Sequence, residues 1–227
     1  MRAGLRAVPA WSRRVGCAVV VLVSAVAAFP VRTDAVTPRR VFVIGDSVTV
    51  GAAPAIERQA PAHGWAVTVD AQVGRTTAQG ASILASMRGS FPPVVVVALG
   101  NNDGQVPAQF ASRIDAVMRA LAGARHVVWY TMTPFASWVP EANAVLHAAS
   151  ARWSNLRLAD WAGVSEATAG ALYGAGPHLR APGAQAFADL FFTTLASLDG
   201  GTPVVESFDG SRPRFQSSAA VSEAPAA

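Results

Sequence analysis

The sequence predicts an α/β protein: a three-layer α/β/α sandwich, flavodoxin-like, around a parallel sheet of about five strands. Two observations carry this. Apolar runs of strand length alternate with segments of helical period between residues 41 and 198, the order that builds a parallel sheet with helices on both faces. The run Val94 to Leu99 is apolar without interruption, as in a central strand covered on both sides.

Each element has its own signal. After a linker, Thr37 to Arg40, the β-branched and aromatic run Val41 to Ile44 reads as a buried strand that stops at Gly45. A helix follows at once, with Val48, Ala52, Ile56 and Ala60 on one face. The turn Pro61 to Gly64 leads into a strand, Trp65 to Ala71, with valines at 67 and 69. Gln72 to Thr77 is the next strand-to-helix turn, and its helix runs to about Arg88, before the break at Pro92-Pro93. The Val94 to Leu99 strand ends in Gly100-Asn101-Asn102-Asp103-Gly104. A helix from Pro107 to Ala122 carries Phe110, Ile114, Val117, Met118 and Leu121 at helical spacing. Strand Val127 to Met132, helix Glu141 to Arg152 and a short strand, Leu156 to Ala159, come next. A Gly/Ala-rich loop then precedes the last helix, Pro182 to Leu198.

At 227 residues and 52% apolar content the chain can bury one sizeable core. One domain, residues 36–199, is expected, with appendages at both ends. Residues 200–227 lose apolar periodicity and read as a disordered tail. At the other end, Arg2, Arg6, Arg13 and Arg14 precede an uncharged apolar run from Val15 to Val31, with small-residue cleavage sites near Ala27 and Ala35. Residues 1–35 therefore read as a secretory signal peptide, or as a membrane anchor through residues 15–31. The expected location is outside the cell or in its envelope. Cys17, the single cysteine, lies in this run, so the exported body has no disulfide, zinc-cysteine cluster or thiol nucleophile.

The net charge of +4 is uneven: +4 in residues 1–35, +1 in 36–199 and −1 in 200–227. The body lacks the basic stripe that a nucleic-acid partner requires. A nucleotide-binding reading is disfavoured as well, because the first turn has no Gly-x-Gly-x-x-Gly and the chain has no Lys for a phosphate loop.

In an open α/β sheet, groups that act on a ligand stand on loops after the C-terminal ends of strands. Ser47 occupies such a turn, where helix N–H groups and the helix dipole favour a developing oxyanion. It is either a nucleophile or a plain N-cap. Of the four histidines, His63 and His126 fall at the opposite end of the sheet and His147 is mid-helix. His178 alone lies in a loop past the last strand, within range of Ser47 as a general base. Oxyanion donors are offered by the Ser47 N–H, the Gly74 N–H and the Asn102 side-chain amide, with a plain turn and a capping turn as the alternatives for the last two. Arg75 and Arg180 flank the site, as substrate contacts or as ordinary surface arginines.

These residues together resemble the SGNH (GDSL-type) hydrolase family over about residues 41 to 195. Gly45-Asp46-Ser47 is similar to its nucleophile block, Gly74 to its second block, and Gly100-Asn101-Asn102-Asp103 to its Gly-x-Asn-Asp block. Pro177-His178-Leu179, followed by Pro182-Gly183, is similar to its histidine block. A closer resemblance is to the SGNH domain of peptidoglycan O-acetyltransferases, through Val43 to Val48, Trp138 to Asn143 and Leu158-Ala159-Asp160-Trp161; the membrane-spanning acyl-donor module often joined to such domains is expected to be absent. The resemblance implies Ser47 as nucleophile, His178 as base, and Ser47, Gly74 and Asn102 as oxyanion donors. It implies that Asp46 and Asp103 hold the turns.

One position departs from the family pattern. The acid that usually stands three residues before the histidine is Ala175 here. A backbone carbonyl near Gly174 could hold the imidazole in a Ser-His dyad, Asp160 or Glu166 could substitute, or the site could bind without catalysis. The expected activity is that of an exported serine esterase or acyl transferase on an O-acyl ester of a small molecule or a glycan. The expected rival is a non-catalytic binder of cell-wall glycan or acyl ligands. No metal, organic cofactor or nucleic acid is implied, membrane contact is confined to the N-terminal segment, and a monomer is expected.

Overall fold

The computed structural model describes residues 37–198, apart from Arg88 and Gln105. The signal peptide or anchor expected in residues 1–35 and the tail expected in 200–227 lie outside the described residues. Five strands, β1 (Arg39–Gly45), β2 (Trp65–Ala71), β3 (Val94–Ala98), β4 (His126–Tyr130) and β5 (Leu156–Ala159), form one sheet. Their order is β2-β1-β3-β4-β5, and every pair is parallel.

Strand alternation divides the core in two. Val41 and Val43 of β1 point to a layer made by helices α1 (Ser47–Gln59) and α6 (Ala181–Ser197). Phe42 and Ile44 point to the opposite layer, with α2 (Thr77–Ser86), α3 (Pro107–Ala120) and α4 (Val139–Arg152). A period of two along a strand with both faces covered produces this split. Val95 and Val97 are fully buried on one side of β3, and Val96 is 1% exposed on the other.

The order also locates a ligand crevice. From β1 the chain steps outward to β2, then returns across β1 to β3 and proceeds the other way. That reversal between β1 and β3 is a topological switch point, where open α/β sheets bind ligands.

One element differs from the sequence expectation. The loop after β5 contains a seven-residue helix, α5 (Trp161–Ala167). It has no apolar period of its own; Asp160 caps it through Gly163 N at 3.0 Å, and Trp161 is 2% exposed against Phe187 of α6. Tertiary burial and a cap create this helix rather than propensity.

Candidate active site

Ser47 is the first residue of α1, directly after β1 has ended at Gly45. So abrupt a passage needs glycine at 45, because a Cβ there would overlap the side chain of Thr49 one turn into the helix. Asp46 is the N-cap, accepting from Val48 N at 2.9 Å. Its other oxygen accepts from Asn101 Nδ2 at 2.8 Å and, more weakly, from Asn102 Nδ2 at 3.5 Å. Burial pushes the Asp46 carboxyl above the usual carboxylate range, with the Asp103 charge adding; the Asn101 and Val48 hydrogen bonds and His178 pull the other way.

His178 reaches this point from the far end of the chain. It stands on the returning arm of a hairpin, with Tyr173 N donating to its carbonyl at 2.9 Å and Arg180 N donating to Ala171 O at 2.8 Å. A turn closed by Gly176 N on Tyr173 O forms the tip. The imidazole Nε2 lies 3.2 Å from Ser47 Oγ, a distance at which an unprotonated nitrogen accepts the hydroxyl proton. Among the described residues, nothing is hydrogen-bonded to Nδ1 of His178. Ala175 is exposed at the hairpin tip.

Three N–H donors stand on neighbouring strand ends. The Ser47 N–H opens α1 and has no partner within the helix. Gly74 follows β2 in a turn closed by Arg75 N on Gln72 O. Its φ of 77° is the left-handed value that the third position of a type II turn requires. Asn102 follows β3, its Nδ2 donating to Arg75 O at 3.2 Å. Asp103 turns away from the crevice: it accepts from Thr77 N and Thr77 Oγ1 at the start of α2 and pairs with Arg113 of α3 at 2.8 Å.

Neither a family model nor a curated protein matches the chain. Solved structures do. The catalytic domain of Streptococcus pneumoniae peptidoglycan O-acetyltransferase A, described with a methylsulfonyl adduct, superposes with a TM-score of 0.61 at 23% identity, covering 72% of this chain and 96% of that one. A family 3 carbohydrate esterase of Clostridium thermocellum gives 0.60 at 16% identity, covering 72% and 98%. A member of the lipolytic G-D-S-L family from Veillonella parvula gives 0.58 at 14% identity, covering 70% and 98%. This chain has the SGNH-hydrolase fold.

Within the SGNH fold, several side chains near the crevice have other employment. Asp160 spends its carboxylate on the α5 cap and on Thr131 Oγ1 at 3.2 Å, not on His178. Glu166 lies on α5 and is exposed. His63 stacks on Phe192 at 4.2 Å. His126 opens β4, where burial and the charges of Arg125 and Arg157 lower its pKa. His147 is exposed on α4.

Arg75 corrects one alternative of the sequence reading: being 5% exposed, it is not an ordinary surface arginine. Its Nη1 donates to Asp70 O at 2.6 Å and Gly45 O at 3.3 Å, and its Nη2 pairs with Asp70 at 2.7 Å. Arg180 is exposed, with its guanidinium 5.3 Å from the centre of the Tyr173 ring.

Other supporting groups have roles that the sequence does not assign. Asn101 holds Asp46, and Thr77 and Arg113 hold Asp103. Asn143 of α4 clamps both backbone groups of Met132 just past β4, at 2.9 and 2.8 Å. The doubled Asn101-Asn102 was the one visible sign that two amides share the turn. The large exposed apolar side chains among the described residues are Val50, Val73, Val106 and Tyr173. Each lies within five residues of Ser47, Gly74, Asn102 or His178.

Proposed function

We propose that the protein is an exported serine esterase or acyl transferase, acting on an O-acyl ester of a small molecule or glycan. The observation that carries this reading is the 3.2 Å approach of His178 Nε2 to Ser47 Oγ, on the rim where three N–H donors end three neighbouring strands. The fold shared with carbohydrate esterases and with a peptidoglycan O-acetyltransferase supports the choice of ester chemistry. The basic and apolar pattern of residues 2–31 supports export.

In the proposed reaction Ser47 Oγ attacks the ester carbonyl carbon while its proton passes to His178 Nε2. The carbonyl oxygen takes the negative charge and is held by the Ser47 N–H, the Gly74 N–H and Asn102 Nδ2. Collapse breaks the bond to the alcohol oxygen, which leaves with the proton from His178. The acyl-Ser47 ester is then attacked by water, or by a sugar hydroxyl, deprotonated in turn by His178. Either product regenerates the free hydroxyl. Each preorganised donor is worth about 10²–10³-fold in turnover in comparable sites. With Ala at 175, the pair works as a Ser-His dyad.

A second reading, a binder of acyl or glycan ligands without turnover, is favoured by that same alanine. Hydrolysis of nitrophenyl acetate by the purified protein, with and without an oligosaccharide acceptor, separates the two. The proposal expects turnover that Ser47→Ala abolishes, and an acylated oligosaccharide if transfer competes with water. Absence of turnover in wild type, with glycan binding retained, favours the binder.

A further inference from the structure

Arg75 is a charged side chain held almost out of water, a costly arrangement unless its hydrogen bonds are well made. Its bonds run to an unusual set of places. Nη1 reaches the carbonyl of Gly45, two residues before Ser47, and the carbonyl of Asp70 near the end of β2. Nη2 pairs with the Asp70 carboxylate. The backbone N–H closes the turn that contains Gly74, and the backbone carbonyl accepts from Asn102 Nδ2. Gly45 O also takes Gln72 N at 3.2 Å, so the ends of β1 and β2 are tied twice.

One residue is thereby connected to all three proposed oxyanion donors. It is covalently next to Gly74, hydrogen-bonded to the amide of Asn102, and tied through Gly45 to the backbone that carries the Ser47 N–H. An oxyanion hole accelerates acyl transfer only if its donors are already aimed before the charge appears, within about 0.5 Å of the productive position. Three loops on three strands have no covalent reason to keep such a relation.

We propose that Arg75 is the positioning residue of the oxyanion hole: its guanidinium and backbone carbonyl lock the Ser47, Gly74 and Asn102 donors into one fixed arrangement without touching substrate. This rests on the reading of those three groups as oxyanion donors. It assigns to a buried arginine the work of aligning the hole, and it leaves binding of the substrate's remainder to other groups.

The test compares Arg75→Met, Arg75→Lys and Asp70→Asn with wild type, alone and, for Arg75→Met, combined with Asn102→Ala. Positioning predicts that kcat for nitrophenyl acetate falls about 10–100-fold in Arg75→Met while KM stays within about twofold. Arg75→Lys keeps the charge but not the fork that spans Gly45 and Asp70, and falls between. Asp70→Asn, a change at a part-exposed residue, keeps the fold and moves kcat in the same direction to a smaller extent. In the Asn102→Ala background, Arg75→Met costs less than it does in wild type, because one of the three donors it aligns is gone while the Ser47 and Gly74 donors still depend on it. A fully multiplicative loss, or an unchanged kcat in Arg75→Met, overturns the proposal.

A second readout is independent of turnover. In ¹H–¹⁵N spectra the Gly74 amide and the Asn102 side-chain amide must shift and exchange faster in Arg75→Met, while the Met132–Asn143 clamp does not change. Unchanged Gly74 and Asn102 signals overturn the proposal. If wild type hydrolyses no ester yet these signals move, it is the ester-hydrolysis reading that fails, and the tie from Arg75 to the three loops stands.

Discussion

His178 Nε2 sits 3.2 Å from Ser47 Oγ across 131 residues of chain. That meeting depends on two ends of the fold arriving on the same rim. Ser47 is delivered by the strand-to-helix passage at β1, and His178 by a hairpin whose arms are joined by Tyr173 N on His178 O. Leu179, beside the histidine, packs into the α1/α6 layer, and a Cβ at Gly51 of α1 would come within 3.6 Å of it. The hairpin thus leans on the same helix that presents the serine. His178→Ala is expected to lower ester turnover by about 10³-fold or more, with KM little changed. A loss under tenfold would remove the imidazole from the chemistry.

Position 175, where the family resemblance leads one to expect an acid, holds alanine and can be changed to test that expectation. Ala175 is exposed at the hairpin tip, so an Asp there costs little stability, within about 0.5 kcal/mol. A carboxylate that reaches Nδ1 of His178 from this position orients the imidazole and stabilises its protonated form. Ala175→Asp is expected to raise kcat about tenfold or more, measured on nitrophenyl acetate. A fall in kcat at unchanged Tm would mean that the ring is already held in a way the carboxylate disturbs.

Asp160 is expected to matter for folding and not for rate. Its carboxylate caps α5 and accepts from Thr131, so Asp160→Ala should cost about 1 kcal/mol of stability while kcat stays within twofold. Collapse of kcat at an unchanged Tm would make Asp160 the acid of the site after all.

Gly74 separates backbone strain from crowding. Nothing lies within 4 Å of where its Cβ would stand, yet its φ is 77°. Gly74→Ala therefore pays only the left-handed penalty of about 1–2 kcal/mol. If the Gly74 N–H serves the oxyanion, kcat falls by more than that stability loss would suggest, about 10-fold or more. An unchanged kcat would take this N–H out of the oxyanion hole.

Asp46 gives a pH signature in stability. Its folded pKa is raised above the ordinary 3.8 by burial, so the folded chain holds that proton more tightly than the unfolded one. The stabilisation this brings is complete below the unfolded pKa and is lost as pH rises through the folded value. Asp46→Asn has no such loss. The Tm of the variant relative to wild type should climb as pH rises from about 3.5 into the mildly acidic range above it. A difference that is flat with pH would mean that the carboxyl is not raised.

Much of this fold was legible because its signals are local. The uninterrupted valines of β3 announce a central strand, and β2 and β5 begin and end where their apolar patterns do. The rim position of Ser47 and His178 followed from the alternation of strands and helices, since that alone decides which turns share an end of the sheet. What stayed hidden depends on distant partners. Helix α5 has no period to read, because Trp161 is buried by Phe187 from another helix. The destination of Arg75 is set by the pairing of β1 with β2, which brings Gly45 beside Ala71, and no window around residue 75 contains that fact. The Asn143 clamp on Met132 is likewise a relation between a helix and a strand end.

The most direct measurement is the intact mass of the protein after exposure to a fluorophosphonate, with the site mapped by peptide sequencing. The account predicts one adduct per chain, on Ser47, absent in Ser47→Ala and formed about 10²-fold or more slowly in His178→Ala. An unmodified wild-type protein, or an adduct on any other residue, would contradict it.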